Sequence, residues 1–435
     1  MTLTEFRKFV CAPQHIQTNV LSSILKEILS KLIIQKVIYY GKHTPRIDDS
    51  VPNVPDFIYW ETSFGCNLRC VYCYMSAAKS KPDELTTEEA LEMISEMAAL
   101  GVRCLVFTGG EPLLRKDIWQ LAEFAKSKNL TTQVITNATL VKSIEIAEKI
   151  RNCFDNVTTS LDGACPEHND LHRGQGSFEV IVKGIQNLNQ VGIKPIINSA
   201  ISKHNVENVS ELLDFVEQNF EVRYHRTIPI SKIGRGHATE YDLEDWKNYK
   251  KLHNATTKKV FEKESNNLEV LMKEFQRDSF LPRKNCGMGS GEIYIDSRGN
   301  VYPCKLVTTP EWYSGNIRET PLTQILNALP LQKSRDLSVS DIEGCRTCMI
   351  RRLCGGGCRG NHLGVSGNAL KNNLYFCWTL RHRMIANLWM AENKQQVLLD
   401  SSAFIPRVVA TGEIWEPEVG TALPKQELIA LPIIN

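Results

Sequence analysis

The sequence predicts an α/β protein, a partial (βα)6 TIM-like barrel followed by a small cysteine-rich domain. Short apolar runs alternate with helical patterns from residue 57 to residue 230, the mark of a parallel sheet. That stretch covers about 175 residues, too few for a full eight-step barrel of roughly 250. Fourteen cysteines crowd into short-spaced groups, seven of them between 286 and 377.

The elements follow in order. FIYWETS (57–63) reads as the first strand and runs into a loop holding three cysteines. TTEEALEMISEMAALG (86–101) reads as a helix, with Thr86 or Thr87 as N-cap, acids in the first turn and Gly101 at the stop. Further strands are expected at 103–110, 132–137, 156–163, 194–202 and 222–230, with helices at 117–129, 143–152, 177–192 and 205–219.

Around this core, residues 1–50 form an N-terminal amphipathic helical extension. Val20, Leu21, Ile24, Leu25, Ile28, Leu29 and Leu32 recur there at helical spacing. The barrel takes 51–235, and a polar helical bridge takes 236–285. Residues 286–380 show little hydrophobic periodicity and are expected to be organised by metal. Residues 381–435 read as a C-terminal helix and an extended tail, interrupted by Pro406, Pro417, Pro424 and Pro432.

Composition narrows the function. A formal net charge of +2 with 23% charged residues gives no reason to expect nucleic acid. No run of eighteen apolar residues is present, so no membrane span is expected, and the N-terminus lacks a signal-peptide core. The cysteine spacing then reads as metal binding in a reducing cytoplasm rather than as disulfides. Cys11, Cys104, Cys153 and Cys165 fall outside the groups and are expected to be small buried hydrophobes.

Two motifs carry chemistry. Cys66, Cys70 and Cys73 form C-x3-C-x2-C just after the first strand, where barrel enzymes place catalytic groups. Three ligands fall short of the four that a structural zinc takes. TGGEP (108–112) lies at the end of the second strand. Its glycines suit close backbone approach to a ligand, and Glu111 suits an ammonium group.

Together these motifs resemble the radical S-adenosylmethionine (radical SAM) enzymes, through Cys66, Cys70, Tyr72 and Cys73 and through Gly109, Gly110, Glu111 and Pro112. The resemblance implies a 4Fe–4S cluster on three thiolates, with the fourth iron open to the amine and carboxylate of SAM. Reductive cleavage of SAM then gives a 5′-deoxyadenosyl radical that abstracts hydrogen from substrate. It also implies SAM contacts from Ser160 and Arg173, with Asn137 and Asp162 at neighbouring strand ends. His168 and His172 are expected to be loop histidines.

Cys286, Gly299-x4-Cys304, then Cys345, Cys348, Cys354 and Cys358, and finally Cys377 resemble the SPASM auxiliary-cluster domain. That resemblance implies two auxiliary 4Fe–4S clusters. Cys345, Cys348, Cys354 and Cys377 would hold the distal one, and Cys286, Cys304 and Cys358 the nearer one. No cysteine in 277–285 completes the nearer set, which leaves an open iron or an oxygen or nitrogen ligand. Lys305 stands where the sulfatase maturases carry an aspartate base, which argues against that activity. The expected substrate is a ribosomally made precursor peptide, with a tetrapyrrole or other small cofactor precursor as alternative. A separate leader-peptide-binding protein and a flavodoxin or ferredoxin-type electron donor are the expected partners.

Overall fold

The computed structural model describes residues 54–238, 283–346 and 351–372, together with 248, 251–252, 254–256, 348, 377, 407–408 and 414–415. The expected amphipathic helix near residue 20, Cys11, most of the bridge and the C-terminal helix lie outside the described residues.

Six parallel strands form in sequence order: β1 (Phe57–Glu61), β2 (Cys104–Thr108), β3 (Thr131–Ile135), β4 (Asn156–Ser160), β5 (Ile196–Ile201) and β6 (Tyr224–Pro229). Helices α1 (Thr87–Leu100), α2 (Ile118–Ser127), α3 (Ile144–Cys153), α4 (Pro166–Arg173), α5 (Ser177–Gln190) and α6 (Val209–Asn219) lie between them. The first helix begins as its sequence demands. Thr86 and Glu89 form a reciprocal capping box, and Gly101 ends it in the left-handed conformation.

Strand periodicity of two sorts the side chains. Ile58, Trp60, Leu105, Phe107 and Val134 join the helices in one continuous core. Tyr59, Glu61, Val106, Thr108, Gln133 and Ser160 alternate with them and take the opposite, largely polar face of the sheet. A second cluster gathers α5, β5 and α6, and Leu252 of the bridge packs into it.

The sheet does not end at six strands. β7 (Glu292–Ile295) pairs in parallel with β1, and β8 (Val301–Tyr302) pairs antiparallel with β7. The order is therefore β6-β5-β4-β3-β2-β1-β7-β8, a barrel open between β6 and β8. Helices α7 (Leu322–Ile325) and α8 (Leu329–Asp336) follow, and Ile293, Ile295, Val301, Leu322, Ile325, Leu326 and Leu331 all belong to the barrel core. The expectation that this block lacks an apolar core thus fails for its first half. Its apolar residues are too sparse to show a period, but they fill gaps in a core supplied by β1 and α1. Among the described residues beyond α8, a small local cluster is built on Val339 and Ile342. Two short helices, α9 (Arg351–Cys354) and α10 (Arg359–Ser366), carry the last cysteine spacing. In the tail, β9 (Arg407–Val408) and β10 (Ile414–Trp415) make a short antiparallel pair.

Candidate active site

The loop after β1 holds Cys66, Cys70 and Cys73, all free and half-buried. Its backbone is tied down from several directions. Cys66 N–H donates to Ala78 O (2.9 Å) and Val71 N–H to His172 O (2.9 Å). From beyond β6, Arg235 donates from Nε to Cys70 O (2.9 Å), from Nη1 to Ala77 O (2.7 Å) and from its backbone N–H to Cys73 O (3.0 Å). Leu68 N–H points at Cys66 Sγ (3.4 Å).

Burial pushes the Cys70 thiol up to about 11 and raises Cys66 too. Among the described residues no three His, Cys, Asp or Glu side chains converge as a single-ion site requires. Three soft donors on one pinned loop fit a cluster, where each thiolate caps a different iron.

The GGEP turn packs directly on this loop. Gly110 N–H donates to Ser63 O (2.9 Å) and Glu111 N–H to Gly65 O (2.8 Å). A Cβ on Gly110 would lie 2.1 Å from Gly65 O, and one on Gly109 2.5 Å from Ser63 O. The close approach that the glycines permit is therefore to the cysteine loop. Pro112 opens a single 3-10 turn, capped by the Glu111 carboxylate at Leu113 N–H (3.1 Å).

Glu111 turns into the protein. Its side chain is fully buried and also accepts from Thr136 Oγ1 (2.7 Å) and Asn137 N–H (2.7 Å). It ties the end of β2 to the end of β3, and burial raises its pKa to about 7. Asn137 in turn donates to Asn67 Oδ1 (2.9 Å) and accepts from Thr139, which fixes the turn beside Cys66.

Tyr72, Asp162 and Arg173 form one unit beneath the loop. Tyr72 OH donates to Asp162 Oδ2 (2.7 Å), and Arg173 Nε pairs with the same oxygen (2.7 Å). Ala200 N–H donates to Asp162 Oδ1 (2.8 Å). Asp162 is fully buried and Arg173 only 5% exposed, so neither is a solvated loop residue. The Arg173 guanidinium is engaged with Asp162 and Tyr72. Burial pushes the Tyr72 hydroxyl well up, so it remains a neutral donor.

His168 and His172 are not loop histidines; both lie on α4. His172 is buried with Nε2 at 2.8 Å from Ser202 Oγ, while His168 Nδ1 lies 3.4 Å from Cys165 Sγ. The short helix was missed because its polar residues give no apolar stripe. Ser160 ends β4, half-buried on the polar face. Of the ungrouped cysteines, Cys104 and Cys153 are buried as expected and Cys165 only half so.

In the second block, Cys345, Cys348, Cys354 and Cys377 influence one another electrostatically, and burial pushes Cys377 up to about 12. Burial raises the Cys358 thiol, and Cys286 is near enough to add to that shift. Cys304 Sγ donates to Glu292 Oε1 (3.1 Å). Lys305 Nζ lies 3.6 Å from Glu292 Oε2 and 3.7 Å over the Tyr59 ring, on the polar face of the sheet.

A parallel, open barrel with three thiols on the loop after its first strand defines a class of enzyme built around a three-cysteine iron–sulfur site. Residues 60–218 match the radical SAM superfamily, and residues 286–349 match SPASM, an iron–sulfur cluster-binding domain. The chain is 30% identical over 351 residues to an AdoMet-dependent heme synthase of Methanosarcina barkeri (strain Fusaro / DSM 804), covering 75% of this chain and 97% of that protein. It is 29% identical over 324 residues to the mycofactocin maturase MftC of Mycobacterium ulcerans (strain Agy99), covering 70% and 83%. Two solved structures share the fold. Native anSMEcpe with bound AdoMet gives a TM-score of 0.63 at 21% identity, covering 78% of this chain and all of that one. Streptococcus suis SuiB bound to precursor peptide SuiA gives 0.58 at 19%, covering 85% and 91%. The chain belongs to the radical SAM superfamily, and to its SPASM-bearing enzymes.

Sequence reasoning missed Arg235 and Thr136, which hold the loop and the Glu111 buckle. Gly234 was the available signal for Arg235. Its φ is +58°, and a Cβ there would lie 2.2 Å from Tyr74 O, so a glycine just after the last barrel strand marks close approach to the cysteine loop.

Proposed function

We propose that this enzyme cleaves SAM reductively and abstracts hydrogen from a ribosomally made precursor peptide, leading to a cross-link or a backbone modification. The observation that carries the peptide reading is the open edge at β6. Tyr224 and Ile228 there are 47% and 45% exposed, and Arg226 lies between them on the same face. An extended chain can add to such an edge through main-chain hydrogen bonds. The similarity to a maturase supports the same reading.

In this reading Cys66, Cys70 and Cys73 hold the SAM-binding cluster. Bound there, a 4Fe–4S cluster supplies the electron that breaks the C5′–S bond. Gly109, Gly110, Glu111, Pro112 and Asn137 fix the wall beside it, Ser160 offers a hydroxyl, and Tyr72, Asp162 and Arg173 hold the loop base. Cys345, Cys348, Cys354 and Cys377 hold one auxiliary cluster; Cys286, Cys304 and Cys358 hold the other. A separate leader-binding protein, a flavodoxin or ferredoxin-type donor and a cytoplasmic setting complete the proposal. No described helix is long and apolar enough to cross a membrane.

One observation favours a tetrapyrrole instead. Arg226 and Lys305 place cations on the polar face of the sheet, which suits a substrate bearing carboxylates, and a heme synthase is among the relatives. Anaerobic turnover with deuterated substrates decides. Deuterium in 5′-deoxyadenosine from a labelled precursor peptide supports the first reading. Transfer from an iron tetrapyrrole carrying labelled propionates, with none from peptide, overturns it.

A further inference from the structure

We propose that Glu292 supplies the fourth, oxygen ligand of the auxiliary cluster held by Cys286, Cys304 and Cys358. The inference rests on the reading that these three thiols share one cluster. No cysteine upstream in 277–285 is available to complete the set.

Three pieces of backbone bring the donors together. Glu292 opens β7, and its Oε1 accepts from Cys304 Sγ at 3.1 Å. Gly360, two residues after Cys358, packs so tightly on Leu306 that a Cβ would lie 2.3 Å from the Leu306 Cβ. Leu306 N–H in turn points at Cys304 Sγ (3.5 Å), so the start of α10 lies against the Cys304 turn. Gly355 approaches Asn285 O to 2.8 Å by the same measure, which brings the Cys358 segment beside Cys286.

Iron binding changes the chemistry at Glu292. Cys304 gives up its proton to solvent when it ligates iron, and the S–H donor to Glu292 disappears. Glu292 Oε1, 3.1 Å from that sulfur, is then left without its S–H donor. Iron accepts carboxylate oxygen as well as thiolate, so an iron held by these thiols would be the replacement partner. Lys305, 3.6 Å from the other carboxylate oxygen, offsets the added negative charge. The imidazole on α10 is differently used, because His362 Nε2 faces Gly356 O at 3.2 Å.

The test compares the reconstituted full chain with Glu292→Gln and Glu292→Cys. Glu292→Gln is expected to lose one iron from this cluster on mild oxidation and show a three-iron electron paramagnetic resonance signal. Its chelator-driven iron release from that cluster should be faster by at least about tenfold. Glu292→Cys should restore four-iron spectra and slow release. Wild-type spectra and release in Glu292→Gln overturn the proposal, as does equal loss of the cluster in both variants. Unchanged iron content after replacing Cys286, Cys304 and Cys358 together by alanine would instead overturn the three-thiol reading.

Discussion

The loop after β1 and the segment from Cys345 to Cys358 present thiols at similarly short spacing, yet the protein holds them by different means. The first loop is clamped by distant parts of the chain: Arg235 from beyond β6, His172 on α4 and the GGEP turn after β2. The second is held by short-range hydrogen bonds and by nearby turns at Arg283, Asn285 and Asn372. Cys348 N–H donates to Cys345 O (2.9 Å) and Gly355 N–H to Arg351 O (2.9 Å), while the Arg359 guanidinium, buried in the same fold, reaches Ala369 O and Asn372 Oδ1. Among the described residues, its apolar support is a small cluster around Val339 and Ile342. A loop embedded in a large core keeps its shape by packing, whereas a loop with little core depends on the metal it binds.

The sharpest way to break this contrast is to remove the iron. Amides of Cys345, Cys348 and Gly355 should exchange nearly freely in the iron-free protein. Those of Cys66 and Val71 should stay protected by at least about a hundredfold, a local opening cost near 3 kcal/mol. Equal loss of protection in both loops would refute the distinction.

Next in size is Asp162→Ala, which leaves Arg173 buried without its carboxylate. Breaking such a pair costs about 3–5 kcal/mol, measurable by urea unfolding of the iron-free barrel. The distal loop should not feel the change before global unfolding.

Glu111 makes the first loop's support pH-dependent. Burial holds Glu111 at about 7 against an ordinary 4.5, so the folded state binds its proton more tightly than the unfolded one. Its contribution is complete below about 4.5 and is lost as pH rises through about 7. The Glu111 part of the stability slope across that window should total at most about 3 kcal/mol and vanish in Glu111→Gln. An unchanged slope would mean that Glu111 titrates normally.

Two glycines sharpen the comparison at the smallest scale. Gly110→Ala drives a methyl into Gly65 O and should cost about 1–3 kcal/mol, with reduced iron uptake at the first loop. Gly367→Ala, at the end of α10, meets no atom within 4 Å and pays only for its φ of +71°, about 1 kcal/mol. Iron content measured for each variant should fall only in the first.

Much of this was legible beforehand because it is written locally. The strand and helix periods of 57–230 located strands β1 to β6 to within a few residues, though not β7 and β8, and the capping box at Thr86 set the start of α1. Cysteine spacing separated the groups, and the structure brings the distal four within electrostatic reach of one another. The polar helix α4 escaped notice because Asn169, His172 and Arg173 are buried without being apolar, so hydrophobic periodicity has nothing to register.

What the sequence by itself determined is therefore the six strands β1 to β6, most of the helices between them and the grouping of the cysteines, since local backbone preference and residue spacing act over a few residues. Tertiary structure alone decided that Arg235 reaches Cys70 across 165 positions, and that β7 lies beside β1 so that Tyr294 meets Glu61 across 233. It also turned Glu111 inward on Thr136. Such contacts are chosen by which surfaces fit and which buried polar groups find partners once the whole chain has closed, and no local pattern encodes that choice.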